Sequence, residues 1–341
     1  MGSDSGPHVI LEASLCALKA DQTLFFFFVG DKTVISNILS QPLFKQLNAD
    51  QLRSSQYEIV HAQQEITMQV KPSAAFRKKD SSSMGIALQL VASGKAQGCV
   101  SSGNTAALVL LARHYLNMFA DVDRPAISTV LPSEKGFTRV LDLGASIDCD
   151  SQALYYFAIM GSVVAETVDK ISSPKVGLLN IGVEEVKGND KVKQASIMLQ
   201  QVEALNYSGF VEGNDIYSGK IDVVVCDGFV GNAVLKASEG LTHYFAYLVN
   251  SKLLRGFRGK IMQWLLKPAL KHLKDEINPD RYNGASFVGL EKVVVKSHGA
   301  ANAVAVGFAI SEAVEQVRLD VPHKIKNALE GLLNNENQEP V

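Results

Sequence analysis

The chain has 341 residues, 47% of them hydrophobic and 20% charged, with a formal charge of −2. That is ample apolar material for a large core in one big domain or two smaller ones, and the near-neutral charge argues against a general nucleic-acid binder, which needs a basic excess to hold a phosphate backbone. Cys16, Cys99, Cys149 and Cys226 are scattered with no short paired spacing, so neither a disulfide framework nor a CxxC metal knuckle is expected, and a reducing cytoplasm fits best.

In chain order, the opening MGSDSGP (1–7) reads as a polar, glycine-bearing turn and not as a signal peptide. Short β-branched or apolar runs follow at 24–29, with its consecutive phenylalanines, and at 97–100, 126–131, 139–143, 175–181, 222–226 and 291–296. Longer helical stretches separate them, an alternation that predicts βα units and a mainly parallel sheet covered by helices. No apolar run approaches the roughly 18 to 20 residues that span a bilayer.

Four of these runs end alike: in SSGNTAAL (101–108), NIGVEEVKGND (180–190), CDGFVGNAVLK (226–236) and KSHGAANAVAVGFA (296–309). Each places glycine, a small polar residue and a helix start after a strand. Glycine lets the backbone approach a ligand, and free N–H groups at a helix start favour an anion such as phosphate. The turns are expected together on the carboxyl edge of the sheet, where ligands bind in open α/β folds.

The segment 252–274 differs. It carries Lys252, Arg255, Arg258, Lys260, Lys267, Lys271 and Lys274 with no acidic residue, beside the only tryptophan, Trp264. On a helix, Leu253, Leu254, Phe257, Ile261, Trp264 and Leu265 share one arc, a pattern that suits either an anionic membrane surface or an arm in a dimer interface. Gly256, Gly259 and Pro268 argue against one long regular helix. Residues 334–341 read as a disordered tail. The histidines offer no HxxxH or HExxH spacing, so no catalytic metal and no cofactor is expected.

Taken together, SSGNTAAL, LPSEKGFTRVLDLGASIDC (131–149), LLNIGVEEVKGND (178–190), DVVVCDGFVGNAVLK (222–236) and VVVKSHGAANA (293–303) occur in the order and spacing of the PlsX phosphate acyltransferases. MGSDSGP, FRKKDSSSM (76–84) and NPDRYNGASFVGL (278–290) extend the resemblance over essentially the whole chain. It implies a three-layer α/β/α unit over 1–333, similar to isocitrate and isopropylmalate dehydrogenases and to phosphotransacetylases, with 252–285 projecting as a helical arm. It also implies a cytoplasmic homodimer that moves a fatty acyl group from acyl carrier protein to inorganic phosphate. The product would feed a glycerol-3-phosphate acyltransferase, with Arg255, Phe257, Arg258, Lys260, Trp264 and Leu265 touching the membrane or the carrier protein. The chain departs from the family in three places. It begins inside a turn that the family precedes with a short apolar strand, it has Ser3 for a glycine, and Ala300, Ala301 and Asn302 replace two serines and an aspartate.

Phosphate attacking a thioester needs the anion held in line and donors for the developing oxyanion. The motif match makes Lys187 the phosphate clamp or oxyanion stabiliser; otherwise it is a solvated loop lysine beside Glu184 and Glu185. Asp227 either orients a base or caps a helix, and His298 either protonates the leaving thiolate, binds phosphate or is structural. Ser102, Gly103, Asn104, Thr105, Gly228, Gly231 and Asn232 are the expected phosphate and substrate contacts, Asn104 doubling as a helix cap. Cys99, inside a predicted buried strand with no adjacent base, is not expected to be a nucleophile.

Overall fold

The computed structural model describes residues 1–42, 44, 56–249, 251 and 279–336, of which 279 and 333–336 by their backbone. Arg255, Phe257, Arg258, Lys260, Trp264 and Leu265, like residues 337–341, lie outside them.

The strands are β1 (Phe26–Gly30), β2 (Tyr57–His61), β3 (Gly98–Ser101), β4 (Ala126–Ser133), β5 (Gly136–Leu141), β6 (Val176–Leu179), β7 (Tyr207–Val211), β8 (Val223–Val225), β9 (Ala285–Val288) and β10 (Val293–Lys296). The helices are α1 (Pro7–Ala20), α2 (Lys32–Leu39), α3 (Pro72–Arg77), α4 (Ser83–Ala92), α5 (Thr105–Tyr115), α6 (Ser151–Thr167), α7 (Asp190–Gln200), α8 (Asp215–Ser218), α9 (Gly228–Leu248), α10 (Ala303–Arg318) and α11 (Val321–Glu336). All seven predicted strands form. β2, β7 and β9 were missed, because Tyr57–His61 and Tyr207–Val211 mix polar with apolar residues and Ala285–Val288 has only four. α11 continues to Glu336, into the tail read as disordered.

Eight strands pair in the order β3-β10-β9-β4-β5-β8-β6-β7, and β1 and β2 form a separate parallel pair. Helices cover both faces of the large sheet, and the strands therefore bury both sides. Along β8, Val223 and Val225 enter one core with α6 and α7, while Val224 enters the other with α5. Along β10, Val293 and Val295 face Ala309 and Ala313 of α10, and Val294 faces α5. Runs of valine buried on both faces are what a helix-covered sheet demands, and each such side chain contributes about 1.5–3 kcal/mol.

Pairing direction corrects one expectation. β3, β10 and β4 run one way, whereas β5, β8, β6 and β7 run the other, because the β10–β9, β9–β4 and β4–β5 pairings are antiparallel. The four glycine turns therefore leave by opposite edges, those after β3 and β10 at one and those after β6 and β8 at the other. The repeated turn motif carried no information about strand direction, which the interposed β9 and the β4–β5 hairpin reverse.

A cavity of about 640 Å³ separates β1 from β3, lined by Phe26, Phe27, Val29, Cys99, Val100 and Ile310 among others. Phe26 donates its N–H to the carbonyl of Gln56 and Gly30 accepts from Ala62, so alternate residues of β1 bond to β2 and the backbone groups of Phe27 and Val29 turn toward the cavity. Ser101 likewise accepts from Ser297, which leaves those of Gly98 and Val100 turned toward it from the other side. No described strand takes up either edge. No described helix is long and apolar enough to cross a membrane.

Candidate active site

At the β3/β10 edge, Asn104 caps α5: its Oδ1 accepts from the Ala107 N–H at 3.0 Å, and its Nδ2 donates to the carbonyls of Met68 (2.7 Å) and Val70 (3.2 Å). Its side chain is thereby engaged as the cap of α5. What stays open is backbone. Among the described residues the N–H groups of Thr105 and Ala106 have no acceptor, as expected for the first turn of a helix, where the dipole is positive. Ser102 and Gly103 are buried beneath them.

The neighbouring turn follows β10. His298 is exposed; its N–H donates to Asn283 Oδ1 at 2.9 Å and its Nδ1 accepts from the Ala300 N–H at 3.2 Å. Accepting at Nδ1 places the proton of the neutral ring on Nε2, so this imidazole offers a donor outward. Asn302 caps α10 by accepting from Ala305 and donates to Asp280, while Ala301 is buried against α1. These two departures from the family pattern thus do structural work. The N-terminal turn docks here: Ser5 donates to the Gly299 carbonyl, and Asp4 Oδ2 lies 2.9 Å from where a Cβ on Gly299 would be.

Lys296, which sequence reasoning passed over inside a valine run, ends β10 in register with Ser101. Its side chain is buried, and its ammonium donates to the carbonyl of Ser297. Its ammonium is lowered to about 8, chiefly by burial, with the charge of Asp4 opposing the shift and that of Lys236, on α9, adding to it. The signal available in the sequence was a lysine where a strand run meets a histidine-glycine turn.

At the opposite edge the motif residues are used differently. Asp227 caps α9, accepting from Phe229 (2.9 Å) and Val230 (3.0 Å). Gly228 and Gly231 let α9 approach the 142–146 loop: a Cβ at Gly231 would lie 1.8 Å from the Asp142 carbonyl oxygen, closer than any atom allows. That loop is organised by Asp142, fully buried, whose carboxylate accepts from the N–H groups of Ile127, Gly144, Ala145 and Ser146 at 2.7–3.1 Å. Burial raises its carboxyl above the ordinary range while these donors pull it down. Asn232 is exposed beside Gly144 and free of side-chain hydrogen bonds among the described residues.

Lys187 stands on the loop after β6, next to β8 in the sheet. Asn180 shapes this loop by donating to the carbonyls of Gly182 (3.1 Å) and Lys187 (3.2 Å). Gly188 follows with φ +88°, and a Cβ there would meet Asn180 at 2.1 Å. Lys187 is exposed and, among the described residues, in no ion pair. No hydrogen bond or ion pair among the described residues joins Lys187 or Asp227 to His298 or the 101–105 turn. The link between the edges is α9, whose Lys236 lies about 12 Å along the axis from its start at ~1.5 Å per residue and exerts its charge on Lys296.

Cys99 is buried in β3, and burial pushes its thiol up to about 12, toward the unreactive protonated form. Among the described residues no three of His, Cys, Asp and Glu are grouped to hold a metal.

Residues 1–324 match the family model described as "Fatty acid synthesis protein". A phosphate acyltransferase of Shewanella sediminis is 45% identical over 334 residues, 98% of this chain and 96% of that protein. One of Shewanella baltica is 46% identical over the same shares. Among solved structures, a phosphotransacetylase of Staphylococcus aureus superposes with TM-score 0.60 at 16% identity, covering 92% of each chain. Another from Streptococcus pyogenes gives 0.59 at 17%, covering 96% of this chain and 92% of that one. These two likenesses bear on the fold.

Proposed function

The chain belongs to the fatty acid synthesis protein family of phosphate acyltransferases, and from that premise we propose that it transfers a fatty acyl group from acyl carrier protein to inorganic phosphate. A phosphate oxygen attacks the thioester carbonyl carbon; the new C–O bond forms, the C–S bond breaks, and the carrier thiolate leaves and takes a proton. Dianionic phosphate is already nucleophilic near neutral pH, its second pKa being about 6 by analogy with phosphate monoesters, so the protein has mainly to position and neutralise.

The observation that carries this reading is the β3/β10 edge. There, unclaimed N–H groups of Thr105 and Ala106 open a helix beside the outward Nε2–H of His298. The N–H groups suit phosphate oxygens, and the imidazole suits the carbonyl oxygen or the departing sulfur. Lys187 and Asn232, free of side-chain partners at the other edge, are assigned to the carrier protein or to the acyl chain away from the thioester, and Asp227 fixes the start of α9 there.

Homodimer formation is supported by the apolar residues that α9 exposes, including Phe229 and Leu241, each 68% exposed. The basic 252–274 segment is proposed, on its sequence, as the contact with membrane or carrier protein, and a downstream glycerol-3-phosphate acyltransferase as the consumer of the product.

The test is acyl phosphate formation from palmitoyl carrier protein and labelled phosphate, with palmitoyl-CoA in parallel. Product with the carrier protein, and a Lys187→Ala variant that folds but turns over more than about tenfold slower, a loss of ~1.4 kcal/mol in the transition state, support the reading. Product from CoA alone points to a phosphotransacetylase-like donor, and no product from folded protein points to a scaffold. Full activity in Lys187→Ala removes that residue from the mechanism.

A further inference from the structure

We propose that Lys296 and Lys236, with the helix-opening turn at 102–106, form the seat of the phosphate dianion. This rests on the acyl-to-phosphate reading and deepens it, moving the principal phosphate cation from the exposed Lys187 loop to the buried end of β10.

Three observations place the anion there. Lys296 is side by side with Ser101 in the β10–β3 pair, so its backbone adjoins the turn that leaves the Thr105 and Ala106 N–H groups unclaimed. The one hydrogen bond of its ammonium goes to a neutral carbonyl, that of Ser297, with no carboxylate in ion-pair range among the described residues. A buried ammonium without an anionic partner is an unfavourable arrangement that folding alone gives no reason to keep. Finally, the charges that reach it come from two other elements: the exposed Asp4 of the N-terminal turn, and Lys236 of α9, which pairs with Glu239 one turn on at 2.7 Å. A dianion seated against the Lys296 ammonium and the N–H groups of the turn offsets the repulsion that Lys236 exerts on it.

The protonation state follows. Burial and Lys236 bring Lys296 to about 8, so in the free protein it is mostly charged at pH 7 and loses its proton as pH rises through 8. Binding a dianion stabilises the charged form, so phosphate affinity falls as pH rises above about 8.

The experiment is steady-state kinetics in phosphate and in palmitoyl carrier protein from pH 6.5 to 9.5, on wild type, Lys296→Met, Lys296→Arg and Lys236→Met, each checked for fold by circular dichroism. Expected in Lys296→Met is a KM for phosphate raised about tenfold or more at pH 7 with the KM for the carrier protein little changed. The wild-type rise in phosphate KM above pH 8 should vanish in this variant and move to higher pH in Lys296→Arg, which keeps a cation; Lys236→Met should raise the phosphate KM severalfold. A folded Lys296→Met with wild-type phosphate KM, or with both KM values raised alike, overturns the proposal. Should Lys296→Met not fold, the arginine and Lys236 variants decide by the same criteria. Failure of the acyl-transfer reading looks different: wild type makes no acyl phosphate, and calorimetry with inorganic phosphate alone then tests the seat, which is overturned if the Lys236 and Lys296 variants bind as wild type does.

Discussion

At the edge shared by β3 and β10, the turn residues leave main-chain donors open and a charge buried: Thr105 and Ala106 keep unclaimed N–H groups, and the Lys296 ammonium donates to a neutral carbonyl. In the turns after β5 and β8, at the opposite edge, the same vocabulary of glycine, small polar residue and helix start is consumed internally. Gly228 and Gly231 admit the Asp142 loop, Asp142 saturates its oxygens with backbone donors, and Asp227 saturates the start of α9. The difference teaches that a glycine turn before a helix is a ligand site only where tertiary packing has not already used its space and its hydrogen bonds.

That contrast breaks first at Asp142. Replacing it with alanine strands four backbone N–H groups, and the expected loss is about 3–5 kcal/mol in denaturant unfolding. A loss under about 1 kcal/mol would mean that water serves the loop as well as the carboxylate does.

Lys296→Met should act in the opposite direction. An ammonium held at about 8, below its ordinary 10.5, destabilises the fold wherever it must be charged. The unfolded chain binds the proton more tightly, so the penalty is full below pH 8 and fades as pH rises toward 10.5. The variant is expected to be more stable than wild type by up to about 3 kcal/mol at pH 7, with the gap closing above pH 8. Saturating phosphate should narrow the gap at pH 7 by stabilising wild type more. No gap at any pH would remove the buried charge from the account.

A paired glycine test sharpens the comparison. Gly231→Ala drives a Cβ to 1.8 Å from a main-chain oxygen and should destabilise by about 1–3 kcal/mol. Gly103→Ala crowds the flexible tip of Met84 at 2.8 Å and otherwise meets Ser101 Oγ at an ordinary 3.5 Å, so its effect on unfolding should be the smaller of the two. Equal losses would show that both turns are packed alike.

The smallest expected effect is dynamic. Amides of Phe27 and Val29, turned toward the cavity between β1 and β3, should exchange with solvent faster than those of Phe26 and Phe28, which are bonded to β2. Uniform protection along β1 would mean that its free edge is covered in solution.

Seven strands, the helix-covered sheet and the family were legible in the sequence, because buried parallel strands must be short apolar runs and turns must carry glycine and capping residues. The side chains of the candidate site were legible as positions and not as roles. Asn104 and Asp227 are the residue types that serve equally as caps or ligands, and only their partners decide between the two. The local β4–β5 hairpin reverses strand direction between the two halves of the sheet, but strand order was decided by tertiary structure: no local pattern encodes the insertion of β9 beside β4, which pairs residues as distant as Ile127 and Phe287. The same holds for Lys296, an unremarkable lysine after three valines, whose significance comes from the elements folded over it. Local sequence determines which backbone conformations and which buried faces are available; which donors remain open and which charges stay unpaired depends on long-range packing, and that is where the chemistry of this protein was set.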